Sequence, residues 1–172
     1  MGEYLEFDDV EGFGVGTEGR PGQRTFFVQI RVDGRRVTLK CEKQQVQALS
    51  LSLQKLLEDL PSPSDRPISQ SMELVRPIEP VAFTIGSMGL GYDQDSDRFV
   101  VMLEEFVAPD PDTGEIDPED ADDAGRVRFQ ITRGQALGFA EHSDVVVSAG
   151  RPSCPWCQLP MDTDGHACPR MN

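Results

Sequence analysis

The feature that most constrains the fold is an alternating apolar pattern that runs into a helical pattern and occurs twice. The first copy passes through Val37, Leu39 and Cys41, and the second covers residues 127–131. An alternation of period two places one set of side chains on one face of a β-strand, and a change to period 3.6 indicates a helix. The sequence therefore predicts two strands that each lead directly into an amphipathic helix.

Two further strands are predicted ahead of each of these strand–helix pairs. A segment of the form Phe-x-aliphatic-Gly-hydroxyl-x-Gly occurs at residues 13–19 and again at 83–89. An apolar run opened by an arginine then follows, at residues 24–32 and 98–103. We interpret the glycines at residues 13–19 and 83–89 as turn residues, because these two segments lack the lysine and the length of a phosphate-binding loop.

Together these patterns predict an α+β body, residues 1–149, that is followed by a small C-terminal lobe, residues 150–172. The body contains two strand-strand-strand-helix units with pseudo-twofold symmetry, at about 10–60 and 72–149. An acidic loop, residues 104–124, separates two strands of the second unit. Chance similarity between two short amphipathic units is the alternative to a repeat.

Local signals indicate where the elements begin and end. Asp33 and Gly34 lie between two alternating runs and predict a two-residue β-hairpin. Residues 42–59 have apolar side chains at helical spacing along one face. Thr132 and Gln135 have the spacing of a capping box, which predicts the start of the second helix.

The C-terminal lobe contains three of the four cysteines and one of the two histidines. Cys154 and Cys157 form a Cys-x-x-Cys pair, and His166 and Cys168 follow after a proline- and glycine-containing reversal. Zn²⁺ prefers four tetrahedral sulfur and nitrogen ligands, and four protein ligands leave no position for water, so we predict a structural zinc site. The alternative is a redox Cys-x-x-Cys, although that motif belongs at the start of a helix and prolines disfavour one here. Cys41 is predicted to be a core residue, with a reactive thiol as the alternative.

Charge limits the classes of partner. The net charge is −14, which argues against general nucleic-acid binding, because such binding neutralises phosphates. Residues 20–43 contain seven bases and two acids, so the chain has a local basic surface to which an anionic partner could still bind. The sequence shows neither an export signal nor an apolar run of membrane-spanning length, so we expect no membrane insertion and a cytoplasmic location.

Weak candidates for ligand binding lie on the first predicted hairpin and beside it. Arg24, Arg31, Arg36 and Lys40 could hold a phosphate, a nucleotide or an acidic peptide, or they could form an ordinary solvated strand face. The only tryptophan, Trp156, lies inside the Cys-x-x-Cys turn and either contacts a partner or packs against the body. We predict no catalytic residues, because no histidine base has an evident nucleophile beside it.

These observations favour a non-enzymatic binding or adaptor protein that holds a protein or a phosphate-bearing ligand. The alternative is an enzyme or sensor that acts on a phosphorylated or nucleotide substrate in the cleft between the two units. That alternative requires a pocket lined by Arg24, Arg31 or Lys40 together with a carboxylate. A third hypothesis is RNA binding through the zinc lobe, for which we expect steeply salt-dependent affinity.

Four separated motifs resemble a bacterial family, mainly actinobacterial, that has no assigned function. They cover residues 19–26, 42–46 and 86–92 and the C-terminal tail at 150–170, so the resemblance extends over nearly the whole chain. It implies that the Cys-x-x-Cys…His-x-Cys tail is a feature of the family. The implied metal ligands are Cys154, Cys157, His166 and Cys168.

Overall fold

The computed structural model describes residues 2–161 and 165–171 of the chain. In these residues the strands are β1 (Tyr4–Phe7), β2 (Gly12–Glu18), β3 (Thr25–Val32), β4 (Arg35–Cys41), β5 (Phe83–Asp93), β6 (Arg98–Glu105) and β7 (Arg126–Ile131). The α-helices are α1 (Lys43–Glu58), α2 (Pro118–Asp122) and α3 (Arg133–Ser148). A 3-10 turn covers Ser69–Met72.

All seven strands form one mixed sheet in the order β1-β7-β6-β5-β4-β3-β2. Strands β2, β3 and β4 form one antiparallel meander, and β5, β6 and β7 form a second one. The two meanders meet where β4 pairs with β5 in parallel, and β1 pairs with β7 in parallel at one edge. The predicted α+β class is therefore confirmed. The predicted pseudo-twofold relation between the two units is not confirmed. A twofold axis would place equivalent strands side by side at the junction, whereas here β4, the last strand of the first unit, pairs with β5, the first strand of the second.

The core lies between one face of the sheet and the helices α1 and α3, which contact each other. The predicted alternation is confirmed, since Val37, Leu39 and Cys41 are buried on that face. The ring of Phe13 stacks on that of Phe139, with centroids 4.0 Å apart, and thereby joins β2 to α3. Full burial of one such side chain stabilises the fold by roughly 1.5–3 kcal/mol.

The local signals in the sequence correspond to the observed turns and caps. Asp33 and Gly34 have φ values of 49° and 71° and close the β3–β4 hairpin, which confirms the predicted two-residue turn. The amide of Gln135 donates to Thr132 Oγ1 at 3.0 Å, and the amide of Thr132 donates to Gln135 Oε1 at 2.9 Å. This capping box starts α3, as predicted, and α1 lies within the predicted range 42–59.

Residues 69–79, here named the strap, cross the face of β2, β3 and β4 that the helices do not cover. Gly12, Gly14 and Gly16 alternate with the buried Phe13 and Val15, so their missing side chains leave room on this face. A Cβ on Gly14 would lie 2.8 Å from the carbonyl oxygen of Met72, so the strap would have to shift to accommodate any side chain at this position.

The interpretation of Gly16 as a turn residue is wrong, because Gly16 lies inside strand β2.

No helix in the described part of the chain is long and apolar enough to cross a membrane. The segment predicted as an acidic loop, residues 104–124, begins with the end of β6. Mostly exposed residues follow, and they include the short helix α2.

Candidate metal centre

Three thiols and one imidazole converge in the C-terminal lobe. The potential ligand atoms of Cys154, Cys157, His166 and Cys168 all lie within 4.8 Å of one another. The Sγ atoms of Cys154 and Cys168 are 3.8 Å apart, and Cys157 Sγ lies 3.2 Å from His166 Nε2. Sulfur ligands at about 2.3 Å from a tetrahedral metal lie roughly 3.8 Å from each other. These four side chains are therefore positioned to hold a metal ion.

A tight turn places the first two ligands side by side. The amide of Gln158 donates to the carbonyl of Cys154 at 2.8 Å, and the amide of Cys154 donates to Leu159 O at 2.8 Å. An isolated antiparallel bridge between Ser153 and Pro160 closes this small hairpin. The backbone of Cys154 thus closes the turn that contains Cys157.

The thiols of the turn have different acidities, and the backbone causes part of the difference. Hydrogen bonding from the amide of Cys157, and then from that of Trp156, lowers the pKa of the Cys154 thiol. The amide of Leu159 acts in the same direction on Cys157, but burial and the neighbouring Cys154 outweigh it and raise the Cys157 pKa. Adjacent thiolates repel one another, so a bound cation is the natural way to ionise all three.

The redox alternative does not match this geometry. The four cysteines are free thiols, and none of the described residues after Ser148 is helical. A redox Cys-x-x-Cys uses a helix N-terminus to stabilise its thiolate. Here two backbone amides, and not a helix, face Cys154.

Cys41 lies apart from this centre, in the core, as predicted. It is 3% exposed, and burial, with the nearby charge of Glu42, raises its pKa from 9.0 to about 12. The thiol therefore stays protonated at neutral pH, which argues against the reactive-thiolate alternative.

The structure does not bring the four candidate cations of the hairpin together. Arg31 donates to the carbonyl of Gln70 at 3.0 Å, and Arg36 donates to those of Val75 and Glu79, at 3.3 Å each. These two guanidinium groups fasten the strap to the sheet. Arg24 and Lys40 lie elsewhere, at a cavity.

This cavity has a volume of about 570 Å³ and lies where the ends of β3, β4, α1 and α3 meet the C-terminal lobe. The body contributes Arg24, Lys40 and Lys43 to its lining, and the lobe contributes Arg151 and Pro160. Arg151 Nη2 also donates to the carbonyl of Gly22 at 3.4 Å. The sequence contained a local excess of bases at residues 20–43 but no signal for the contribution of the lobe.

Trp156 is exposed on the lobe, and His142 contacts a strand of the body. Trp156 is 63% exposed, so it does not pack against the body. His142 Nε2 lies 3.0 Å from the carbonyl oxygen of Val15 and joins α3 to β2.

A comparison with protein-family models supports the resemblance that was inferred from the sequence. The model described as "Protein of unknown function (DUF3090)" matches residues 5–168. No curated protein and no solved structure matches the chain.

Proposed function

We propose that this chain, which belongs to the DUF3090 family, is a non-enzymatic binding protein whose C-terminal lobe folds around a structural zinc ion. The observation that carries this proposal is the convergence of three thiols and one imidazole within 4.8 Å. Thiolate and imidazole in a tetrahedral arrangement suit Zn²⁺ better than Mg²⁺ or Ca²⁺, which prefer oxygen. Four protein donors leave no open position on the metal, so its role is structural.

The zinc ion organises the residues that form one wall of the cavity. Pro160 is joined to Ser153 by the bridge that closes the metal-binding turn, and it lines the cavity together with Arg151. A lobe held by the metal therefore presents a fixed surface to the body. This arrangement supports a binding role at the boundary between lobe and body.

The exposed Trp156 supports a protein partner as a further ligand of the lobe. It lies between Cys154 and Cys157, so the fold of the metal site determines where its side chain points. Tryptophan is enriched among the residues that dominate the energies of protein interfaces. Leu159, which is 50% exposed, adds apolar surface on the same turn.

Native mass spectrometry of protein purified without chelators tests the zinc proposal. We expect one zinc per wild-type chain and none in Cys157→Ser. The matched control is Cys41→Ala, which removes the thiol of the core and is expected to retain the metal. A wild-type chain without zinc that carries a Cys154–Cys157 disulfide overturns the proposal and returns the pair to redox chemistry.

An enzyme or sensor of phosphorylated substrates is the second candidate. The observation that favours it is the presence of Glu42 beside Arg24 and Lys40 in the cavity lining, which is the required combination of cations and a carboxylate. The cavity lies next to the lobe and not in the cleft between the two units. Phosphate release from a phosphate monoester by the wild type, and its loss in Glu42→Gln, would favour this candidate over a purely binding role.

A further inference from the structure

The geometry points to a binding site for the phosphate group of a phosphorylated small molecule in the cavity between body and lobe. This inference deepens the proposed function, and it rests on that function because the lobe forms one wall. Among the described residues, four cationic side chains and one carboxylate, that of Glu42, line the cavity. The cations are those of Arg24, Lys40, Lys43 and Arg151.

The concentration of positive charge is unusual for this protein. The chain carries a net charge of −14, yet in the described lining of this cavity Arg24, Lys40 and Lys43 alone outnumber the carboxylate of Glu42. Within the described residues neither Lys40 nor Lys43 forms an ion pair with a carboxylate. Like charges that share a cavity repel one another, and an anion bound between them removes that repulsion.

Arg24 is oriented by contacts that leave part of its guanidinium group available. Its Nη1 donates to the carbonyl of Val146 at 3.2 Å, and its Cζ lies 5.3 Å from the centre of the Phe26 ring. These contacts hold a planar donor that can bind two phosphate oxygens at once.

The absence of a side chain at Gly150 keeps the space between two of the cations open. A Cβ at this position would lie 3.3 Å from Arg24 Nη2 and 3.6 Å from Lys43 Nζ. Both cations therefore reach the same small region, next to the backbone that joins α3 to the lobe. A phosphate group bound beside this backbone would therefore be within reach of both side chains.

The start of α1 adds backbone donors at its first two residues, since the carboxylate of Glu42 already accepts from the amide of Gln45. Lys43 and Gln44 begin this sixteen-residue helix and both line the cavity. The first amides of a helix have no intrahelical acceptor, and the helix dipole favours an anion at this end. Cys41, which also lines the cavity, is a neutral thiol because burial raises its pKa to about 12.

The size of the cavity indicates a small molecule. Pockets for small ligands commonly have volumes of about 300–1,000 Å³, and this cavity, of about 570 Å³, lies within that range. It can therefore hold more than a free phosphate ion. We expect a phosphate monoester, whose dianion matches the surplus of positive charge.

Isothermal titration calorimetry on the zinc-loaded full chain tests the site, with inorganic phosphate, adenosine monophosphate, adenosine and a phosphoserine peptide as probes. We expect adenosine monophosphate and phosphate to bind and adenosine not to bind. Lys43→Gln and Arg24→Gln should each weaken binding roughly tenfold, because each removes a charge-assisted hydrogen bond. Arg35→Gln is the matched control, since Arg35 is exposed on the hairpin and does not line the cavity.

The outcomes separate this inference from the proposed function. A chain that contains one zinc but binds none of the probes, or binds adenosine as well as its monophosphate, overturns the inference and leaves the zinc proposal intact. Equal affinity in wild type, Lys43→Gln and Arg24→Gln also overturns it. Preference for the phosphoserine peptide over both small phosphates would overturn the small-molecule assignment in favour of a phosphorylated protein. Absence of zinc in the same sample, measured by native mass spectrometry, contradicts the proposed function instead.

Discussion

Gln29 binds both backbone polar groups of Val75, so one buried side chain fixes the strap to the sheet. The amide of Val75 donates to Gln29 Oε1 at 2.7 Å, and Gln29 Nε2 donates to the carbonyl of Val75 at 3.0 Å. The same Nε2 donates to Thr38 Oγ1 at 3.1 Å. Gln29 is fully buried, so these bonds replace the water that its amide loses on folding.

Replacement of this glutamine should therefore destabilise the fold. Gln29→Leu leaves the amide of Val75 and the hydroxyl of Thr38 without this partner, while the carbonyl of Val75 keeps its bond from Arg36. We expect the free energy of unfolding to fall by about 2 kcal/mol. Urea denaturation measures this change, and hydrogen exchange should show loss of protection at the Val75 amide. Gln47→Leu, on the exposed face of α1, is the control and should change stability by less than about 0.5 kcal/mol. Unchanged stability and unchanged protection in Gln29→Leu would contradict this role.

Replacement of a glycine by alanine should change stability differently in the two meanders. Gly14→Ala brings a Cβ to 2.8 Å from a strap carbonyl oxygen, so we expect a destabilisation of about 1–3 kcal/mol. Gly91→Ala on β5 is the matched variant, because nothing lies within 4 Å of a Cβ there. It should be neutral or slightly stabilising, since alanine loses less conformational entropy than glycine. Equal effects of the two variants on urea denaturation would show that the strap does not occupy this face in solution.

Zinc and phosphate should each strengthen the binding of the other. Arg151 and Pro160 belong to the lobe and line the cavity, so removal of the metal should loosen one wall and weaken phosphate binding several-fold. Because such coupling is reciprocal for equilibrium affinities, saturating phosphate should raise the affinity for zinc, measured by competition with a chromogenic chelator, by the same factor. Lys43→Gln, which keeps the metal site but loses a phosphate contact, should shift this effect to roughly tenfold higher phosphate concentrations. An affinity for zinc that is independent of phosphate in the wild type would exclude the coupling.

Cys41 should make stability depend on alkaline pH. Its pKa rises from 9.0 in the exposed reference state to about 12 in the fold, mainly through burial. Between these values the unfolded chain has lost a proton that the folded chain keeps, so the free energy of unfolding falls as pH rises. The contribution to the slope is about 1.4 kcal/mol per pH unit.

Cys41→Ala should remove this contribution, which denaturation at several pH values between 9.0 and about 12 measures. Leu39→Ala is the control, because it truncates a buried side chain on the same strand without removing a titrating group. It should lower stability at every pH and leave the slope unchanged. An identical slope in Cys41→Ala and wild type would contradict the assigned burial of the thiol.

Local signals in the sequence were sufficient to predict most elements and the metal-binding cluster. The turn at Asp33 and Gly34 and the capping box at Thr132 depend on residues that are neighbours along the chain. The four residues with metal-ligand chemistry lie within one short segment, so their types and spacing already indicated a common site. The predicted division into a body, residues 1–149, and a separate lobe stays a prediction.

Long-range contacts explain what the sequence did not reveal. Strand β1 has a short and largely exposed pattern, and its partner β7 lies at the other end of the body. Arg31 and Arg36 were candidates for a ligand, but their acceptors are carbonyl groups of the strap, which any sequence would offer. The grouping of Arg151 with Arg24 depends on how the lobe meets the body, and no local pattern records that contact.

The parallel pairing of β1 with β7 has a consequence for synthesis on the ribosome. Residues 4–7 are made well before their hydrogen-bonding partner, strand β7, which ends at Ile131. At translation rates of about 5–20 residues per second, β1 waits roughly 6–25 s before that partner exists. During this interval Leu5 and Phe7 have no sheet to cover them, so the nascent chain exposes an apolar segment that a chaperone could bind. Pairing of β1 with β7 at the edge of the sheet therefore occurs late, after both meanders have been synthesised.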